Sequence, residues 1–174
     1  ITDVWILARS KTKYYGAYPA GFLHRARALL GVGPSDGVLH LCAGMIRAYP
    51  FKGLGANDRT LDLDPLCHPD YVQDAREPLP VCPYTYNELW PAVLIDRPYS
   101  AEEATHYRVG AAVLPTANQL VVNALGSVPV GGKVGILDWV WPRPSARGKE
   151  VAVIGVAIGR DSRARWFTVI ERIA

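Results

Sequence analysis

The sequence lacks most of the features that settle a protein's class at a glance. No apolar run approaches the ~20 residues a membrane-spanning helix needs, so no membrane partner is expected. The first residues, Ile1-Thr2-Asp3, lack the basic stretch of a secretory signal. Cysteine is scarce: only Cys42, Cys67 and Cys82 occur. An odd number without framework spacing excludes a disulfide scaffold and leads us to expect a reducing, cytoplasmic setting. His40, Cys42, Cys67 and His68 form no CxxC or HxxxH pair, so no metal is expected. There is no internal repeat and no low-complexity block. Neither GxxxxGK[ST] nor GxGxxG occurs, which removes the two familiar phosphate-cradling loops. Nineteen Lys and Arg against sixteen Asp and Glu give a net charge of +3. That balance permits an anionic partner without supplying the dense basic stripe of a dedicated duplex-DNA binder.

What is present is an ordinary globular composition, 49% apolar and 20% charged over 174 residues, enough for one domain with its own core. Phe22, Leu23, Ala26, Leu29 and Leu30 recur at helical spacing, with Pro19 as the expected first helical residue and Gly31 as the stop. Residues 38–41, 60–63, 71–72, 92–95 and 133–139 read as strands. Between the third and fourth, residues 76–91 are proline-rich loop. Ser100 with Glu103 and Thr116 with Gln119 have capping-box spacing, each opening a helix. Residues 129–132 form a turn. Residues 151–158 and 166–173 read as a closing hairpin across the polar link 159–165. Strands alternating with helices predict an α/β fold, a Rossmann-like doubly wound sheet, mostly parallel, with one antiparallel strand added by the C-terminal hairpin.

In such sheets ligands bind outside the carboxyl ends of the strands. The residues due at that edge are Cys42, Ala43 and Gly44 after the first strand, then Asp62 and Asp64, then Asp74 and Ala75, then Asp96, Arg97, Pro98 and Tyr99, then Asp138 and Trp139. Their chemistry is coherent. Small residues let a ligand approach the backbone. An acid after the second strand can accept from ribose hydroxyls, and one after the third from an adenine amino group. An adenosine site without a phosphate loop points to S-adenosylmethionine.

Five segments carry a family resemblance: VLHLCAGM (38–45), TLDLDP (60–65), YVQDARE (71–77), LIDRPYS (94–100) and VPVGGKVGILDW (128–139). In order and spacing the chain resembles the class I S-adenosylmethionine-dependent methyltransferases. LIDRPYS is similar to the fourth motif of the amino-directed (N6-adenine/N4-cytosine type) nucleic-acid enzymes, without a target-recognition domain. The resemblance spans roughly residues 20–174 and implies one methyltransferase domain over 1–174, with 1–31, including YYGAYPAGF (14–22), packing over the cofactor side. It implies that His40, Cys42, Ala43 and Gly44 border the cofactor, Asp62 holds its ribose, and Asp74 and Ala75 meet its adenine. Asp96, Pro98 and Tyr99 are then the catalytic turn, with Tyr99 stacking on a planar base.

Two departures stand out. His40 replaces the family's acid; a packing role with a bond to a backbone carbonyl stands beside contact with the cofactor carboxylate. Arg97 replaces the first proline of the fourth motif; it either loosens the turn or binds an anionic acceptor. Trp139 and Trp141, followed by Arg143, Arg147 and Lys149, form an aromatic-plus-basic edge suited to nucleic acid or else a solvated loop. The expected function is methyl transfer to an amino nitrogen of a nucleobase in DNA or RNA. The alternatives are a small-molecule or protein methyltransferase and a non-catalytic cofactor-binding subunit that needs a partner or specificity subunit. The oligomeric state is left open.

Overall fold

The computed structural model describes residues 1–8, 18–48, 53–99, 114–143, 145–158 and 164–174. The expected Ser100–Glu103 capping box, residues 14–17 of the N-terminal segment and most of the hairpin link lie outside them.

Among the described residues, eight strands form one sheet: β1 (Thr2–Leu7), β2 (Val38–Leu41), β3 (Arg59–Asp62), β4 (Tyr71–Val72), β5 (Ala92–Ile95), β6 (Lys133–Asp138), β7 (Gly148–Ile158) and β8 (Ala164–Arg172). Their order is β1-β7-β8-β6-β5-β2-β3-β4. Every pairing is parallel except those of β8, which runs antiparallel to both β6 and β7. The chain runs outward from β2 to β4 and returns to β5 on the other side of β2. That places the topological switch point between β2 and β5, where open α/β sheets bind ligands.

Two helices are described, α1 (Phe22–Leu30) and α2 (Ala117–Gly126). α1 starts three residues after Pro19, behind a left-handed Gly21. Pro19 is therefore not the first helical residue; its carbonyl instead accepts from the Phe22 amide. Gly31 stops the helix as expected, left-handed and bonded back to Ala28. α2 opens on the capping box foreseen at Thr116 and Gln119, with both reciprocal bonds made. α1 buries Phe22, Leu23, Ala26 and Leu30 against one sheet face with Trp5, Ile154 and Phe167. α2 buries Leu120, Val121, Ala124 and Leu125 against the other with Val93, Ile95 and Ile136.

β1 was not expected. Trp5 and Leu7 turn into the core, while Val4 and Ile6 are 65% and 79% exposed on the opposite face. Apolar side chains on both faces erase the alternation by which a half-buried strand is read. The first residues are thus an edge strand beside β7, at the far side of the sheet from β4.

α1, β2 and the approach to β3 meet at one buried carboxylate. Asp58 accepts Arg27 Nη1 on both oxygens (2.9 Å each), the Val38 amide (2.9 Å), the Gly55 amide (2.7 Å) and His40 Nε2 (3.2 Å). The ionised carboxylate only accepts, so His40 Nε2 carries the proton. His40 therefore bonds a side chain rather than a backbone carbonyl, and its Nδ1 is buried without a partner among the described residues. Burial pushes the Asp58 carboxyl up, but the bonds from His40, Gly55 and Arg27 outweigh it and hold the group below its usual range.

Removing one partner of a buried ion pair strands the other. Asp58→Ala should lower unfolding stability by about 3–5 kcal/mol in urea titrations. Because the folded carboxyl is depressed, its stabilisation is present at neutral pH. It is lost as pH falls below about 3.9, through the folded-state value, so the acid limb of the wild-type stability profile should flatten in the variant.

Candidate active site

Strand register decides which side chains meet. Leu41 lies opposite Leu61 on β3 and Ile95 on β5; Leu61 lies opposite Tyr71, and Ile95 opposite Ile136. These strands end level, so the residues that follow them line one edge of the sheet.

The first turn is sharp. Cys42 and Gly44 both adopt left-handed backbone, with φ of 55° and 52°. For Cys42 that conformation costs roughly 1–2 kcal/mol. Among the described residues, a Cβ placed on Gly44 would meet nothing within 4 Å, so the turn is not crowded by them. Asp62 anchors it: Oδ2 accepts the Gly44 amide (2.8 Å) while Oδ1 accepts the Asp64 amide (2.9 Å). Burial raises the Asp62 carboxyl despite these bonds. Asp64 accepts the Leu66 amide at the head of a 3-10 turn, so the two acids divide the work. Burial pushes the Cys42 thiol well up, leaving it an uncharged lining group. Ala43 donates its amide to the Leu61 carbonyl (3.2 Å).

The third turn is held from outside. Asn123, on α2, donates to the carbonyls of Ala75 and Glu77 (2.7 Å each). Ala75 is buried. The Asp74 carboxylate is forked by Arg76, which also gives its amide (2.9 Å); bonding to Arg76 keeps the carboxyl below its usual range.

The fourth turn carries two buried ion pairs. Arg97 is 8% exposed and points inward. Its Nε donates to Asp138 Oδ2 (2.7 Å), its Nη2 reaches Asp138 Oδ1 (3.4 Å) and its Nη1 donates to the Pro98 carbonyl (3.0 Å). The sequence offered a loosened turn or an anionic acceptor for Arg97; its guanidinium is turned inward onto Asp138. It braces the turn from within, in the place of the missing proline. On the other side, the Tyr99 hydroxyl donates to Asp96 Oδ1 (2.6 Å) and accepts from Arg165 Nη1 (2.7 Å), with Arg165 also 3.8 Å from Asp96. The Tyr99 ring stacks on Trp139, centroids 4.9 Å apart at 22°. Trp139 is 37% exposed, so it fronts the pair toward solvent. Trp141, further along, bonds Glu150 and packs at 5.8 Å on Trp166.

Tyr18 closes the constellation. It is buried, stacked on Phe22, and among the described residues its hydroxyl has no hydrogen-bond partner. Burial, then the nearby charge of Asp96 and the Cys42 thiol, raise its pKa.

The edge thus brings together Cys42, Ala43, Gly44, Asp62, Asp74, Ala75, Asp96, Pro98, Tyr99 and Trp139. His40 stands apart, in the Asp58 cluster. Sequence reasoning missed Asn123, Arg165 and the ion-pair role of Asp138: charge is visible in a sequence, but its direction across the sheet is not. Among the described residues no helix is long and apolar enough to cross a membrane, and no group of three or more His, Cys, Asp or Glu could hold a metal.

No family model and no curated protein matches the sequence. Solved structures do match in shape. TrmN from Thermus thermophilus superposes with a TM-score of 0.60 at 18% identity, over 87% of this chain and 48% of TrmN. The 1,6-didemethyltoxoflavin-N1-methyltransferase of Burkholderia thailandensis, solved with bound S-adenosylhomocysteine, gives 0.57 at 12% identity, over 88% and 79%. An rRNA methylase from Streptococcus thermophilus gives 0.51 at 11% identity, over 91% and 100%. The chain therefore has the Rossmann-like methyltransferase fold. It spans about half the length of TrmN.

The inward turn of Arg97 has a direct check. Arg97→Met should strip Asp138 of its counter-ion and cost about 3–5 kcal/mol in urea unfolding. An exposed anion-binding arginine would leave stability within about 0.5 kcal/mol.

Proposed function

We propose that the chain is a methyltransferase that takes a methyl group from S-adenosylmethionine and places it on an amino nitrogen of a nucleobase in DNA or RNA. The observation that carries the reading is the meeting, at one switch-point edge, of an Asp62-anchored glycine turn with an acidic-aromatic turn at Asp96–Tyr99. The uncrowded Gly44 turn and the Tyr18 hydroxyl, unpartnered among the described residues, fit a ligand of this kind.

In this reading the backbone of Cys42, Ala43 and Gly44 borders the methionine part. Each Asp62 oxygen spends one lone pair on an amide and has another for a ribose hydroxyl. Asp74 takes the adenine amino group by opening its pair with Arg76, which is exposed and cheap to open. The Ala75 backbone, pinned by Asn123, meets the ring edge. The bound cofactor supplies an activated methyl carbon whose sulfur leaves with the bonding electron pair. The chain's task is then orientation. Asp96 accepts an N–H of the acceptor amine, so that negative charge stands where positive charge builds on nitrogen. Pro98 shapes the turn. The Tyr99–Trp139 pair gives a planar base a surface to stack on. Trp141, 49% exposed, and the basic residues Arg143, Arg147 and Lys149 carry the neighbouring strand. His40 enters only indirectly, by setting β2 against Asp58.

Calorimetric titration with S-adenosylmethionine should give a roughly micromolar Kd, and Asp62→Ala should abolish measurable binding. Asp96→Ala should leave that affinity intact while methylation of single-stranded DNA or RNA falls about 100- to 1000-fold. No binding to the unaltered chain overturns the proposal.

A further inference from the structure

Among the described residues, each arginine at the acceptor turn faces a carboxylate. Arg97 faces Asp138, and Arg165 faces Asp96. All four side chains are 10% exposed or less, so solvent does little of the balancing. Arg97 also spends its remaining amino group on the Pro98 carbonyl. Neither guanidinium is placed to capture an anionic acceptor, and neither carboxylate faces the site without a counter-ion.

Arg165 does more than cancel charge. A guanidinium only donates, so the Tyr99 oxygen accepts from it and the single Tyr99 hydrogen is directed to Asp96 Oδ1. Arg165, Tyr99 and Asp96 form one polarised line of donation that fixes the carboxylate and sets the Tyr99 ring against Trp139. Charge-assisted bonds of this kind hold orientation well. Arg165 is the second residue of β8 and pairs with Val156 on β7, so the line is tied to a rigid element.

We propose that Arg165 is the positioning residue of the acceptor site and makes it selective for a neutral amine, such as the exocyclic amine of adenine or cytosine, over ammonium or carboxylate-bearing acceptors. The proposal rests on the methyl-transfer reading. In the step it governs, the neutral amine's lone pair forms the N–C bond as the S–C bond breaks toward sulfur, and the surplus proton leaves to water past Asp96. A protonated amine has no lone pair to give, and with Asp96 already balanced by Arg165 the site does not draw it in.

The test compares the unaltered chain with Arg165→Met, Arg165→Lys, Tyr99→Phe and the Met/Phe double variant. All are supplied with S-adenosylmethionine and offered a single-stranded oligonucleotide or a lysine-rich peptide. The unaltered chain should methylate the oligonucleotide and leave the peptide unmodified. Arg165→Met should lose roughly 100-fold in kcat, with KM for the oligonucleotide and affinity for S-adenosylmethionine within about twofold; Arg165→Lys should recover part of the loss. Because the two residues act as one line, the double variant should be little worse than the poorer single one. Three results overturn the inference alone: undiminished turnover in Arg165→Met, additive losses in the double variant, or no gain from lysine. Peptide methylation by the unaltered chain overturns the neutral-amine selectivity. No transfer to either acceptor overturns the methyl-transfer reading and this inference with it. Tyr99→Phe, which keeps the ring and removes one hydroxyl, tests the line even if Arg165→Met does not fold.

Discussion

Asp58 receives hydrogen bonds from a helix, a strand and a loop at once, and the placement of the ligand edge follows from that. A buried carboxylate without compensation costs several kcal/mol. It becomes tolerable here only when Arg27, the Val38 and Gly55 amides and His40 arrive together. Arg27 is tied in turn to the carbonyls of Gly33 and Asp36, so the chain between α1 and β2 is drawn into the same knot. The acid is the residue just before β3, and His40 lies two residues before the Cys42 turn. Fixing them fixes β2 against β3, and with them the Gly44–Asp62 bond four residues beyond Asp58.

From that point the geometry is largely one of level strand ends. Five parallel strands finishing at nearly one height convert a linear series of turns into a single rim. Three of these turns are then held by partners from other elements: Asp62 of β3 for the first, Asn123 of α2 for the third, Asp138 of β6 and Arg165 of β8 for the fourth. The rim is assembled from contacts that cross the sheet, which is why residues remote in sequence share one small volume.

Much of this was legible in the sequence. β2 and β5 are short apolar runs bounded by turn residues, and both are fully buried strands. Thr116 and Gln119 opened a helix because a capping box is a local event. The closing hairpin and its single antiparallel strand followed from β-rich runs across a polar link. What stayed hidden was set by tertiary contact. His40 finds a partner 18 residues away rather than a backbone carbonyl. Arg97 in place of a proline read as a looser turn, yet its guanidinium reaches 41 residues along the chain and stiffens it. Arg165 is one basic residue in a polar link until β8 pairs with β7. β1 hid because both of its faces are apolar.

The two margins of the sheet are unequal. β4, at one side, is two residues long, too short to offer a useful ladder. β1, at the other, is six residues long and, among the described residues, pairs only with β7. Its outer row of amides and carbonyls is a template for pairing, and its exposed Val4 and Ile6 are the apolar side chains that make such a template adhesive. The sheet is thus finished at one end and extensible at the other. A strand added beside β1 would extend the sheet on the margin away from β4.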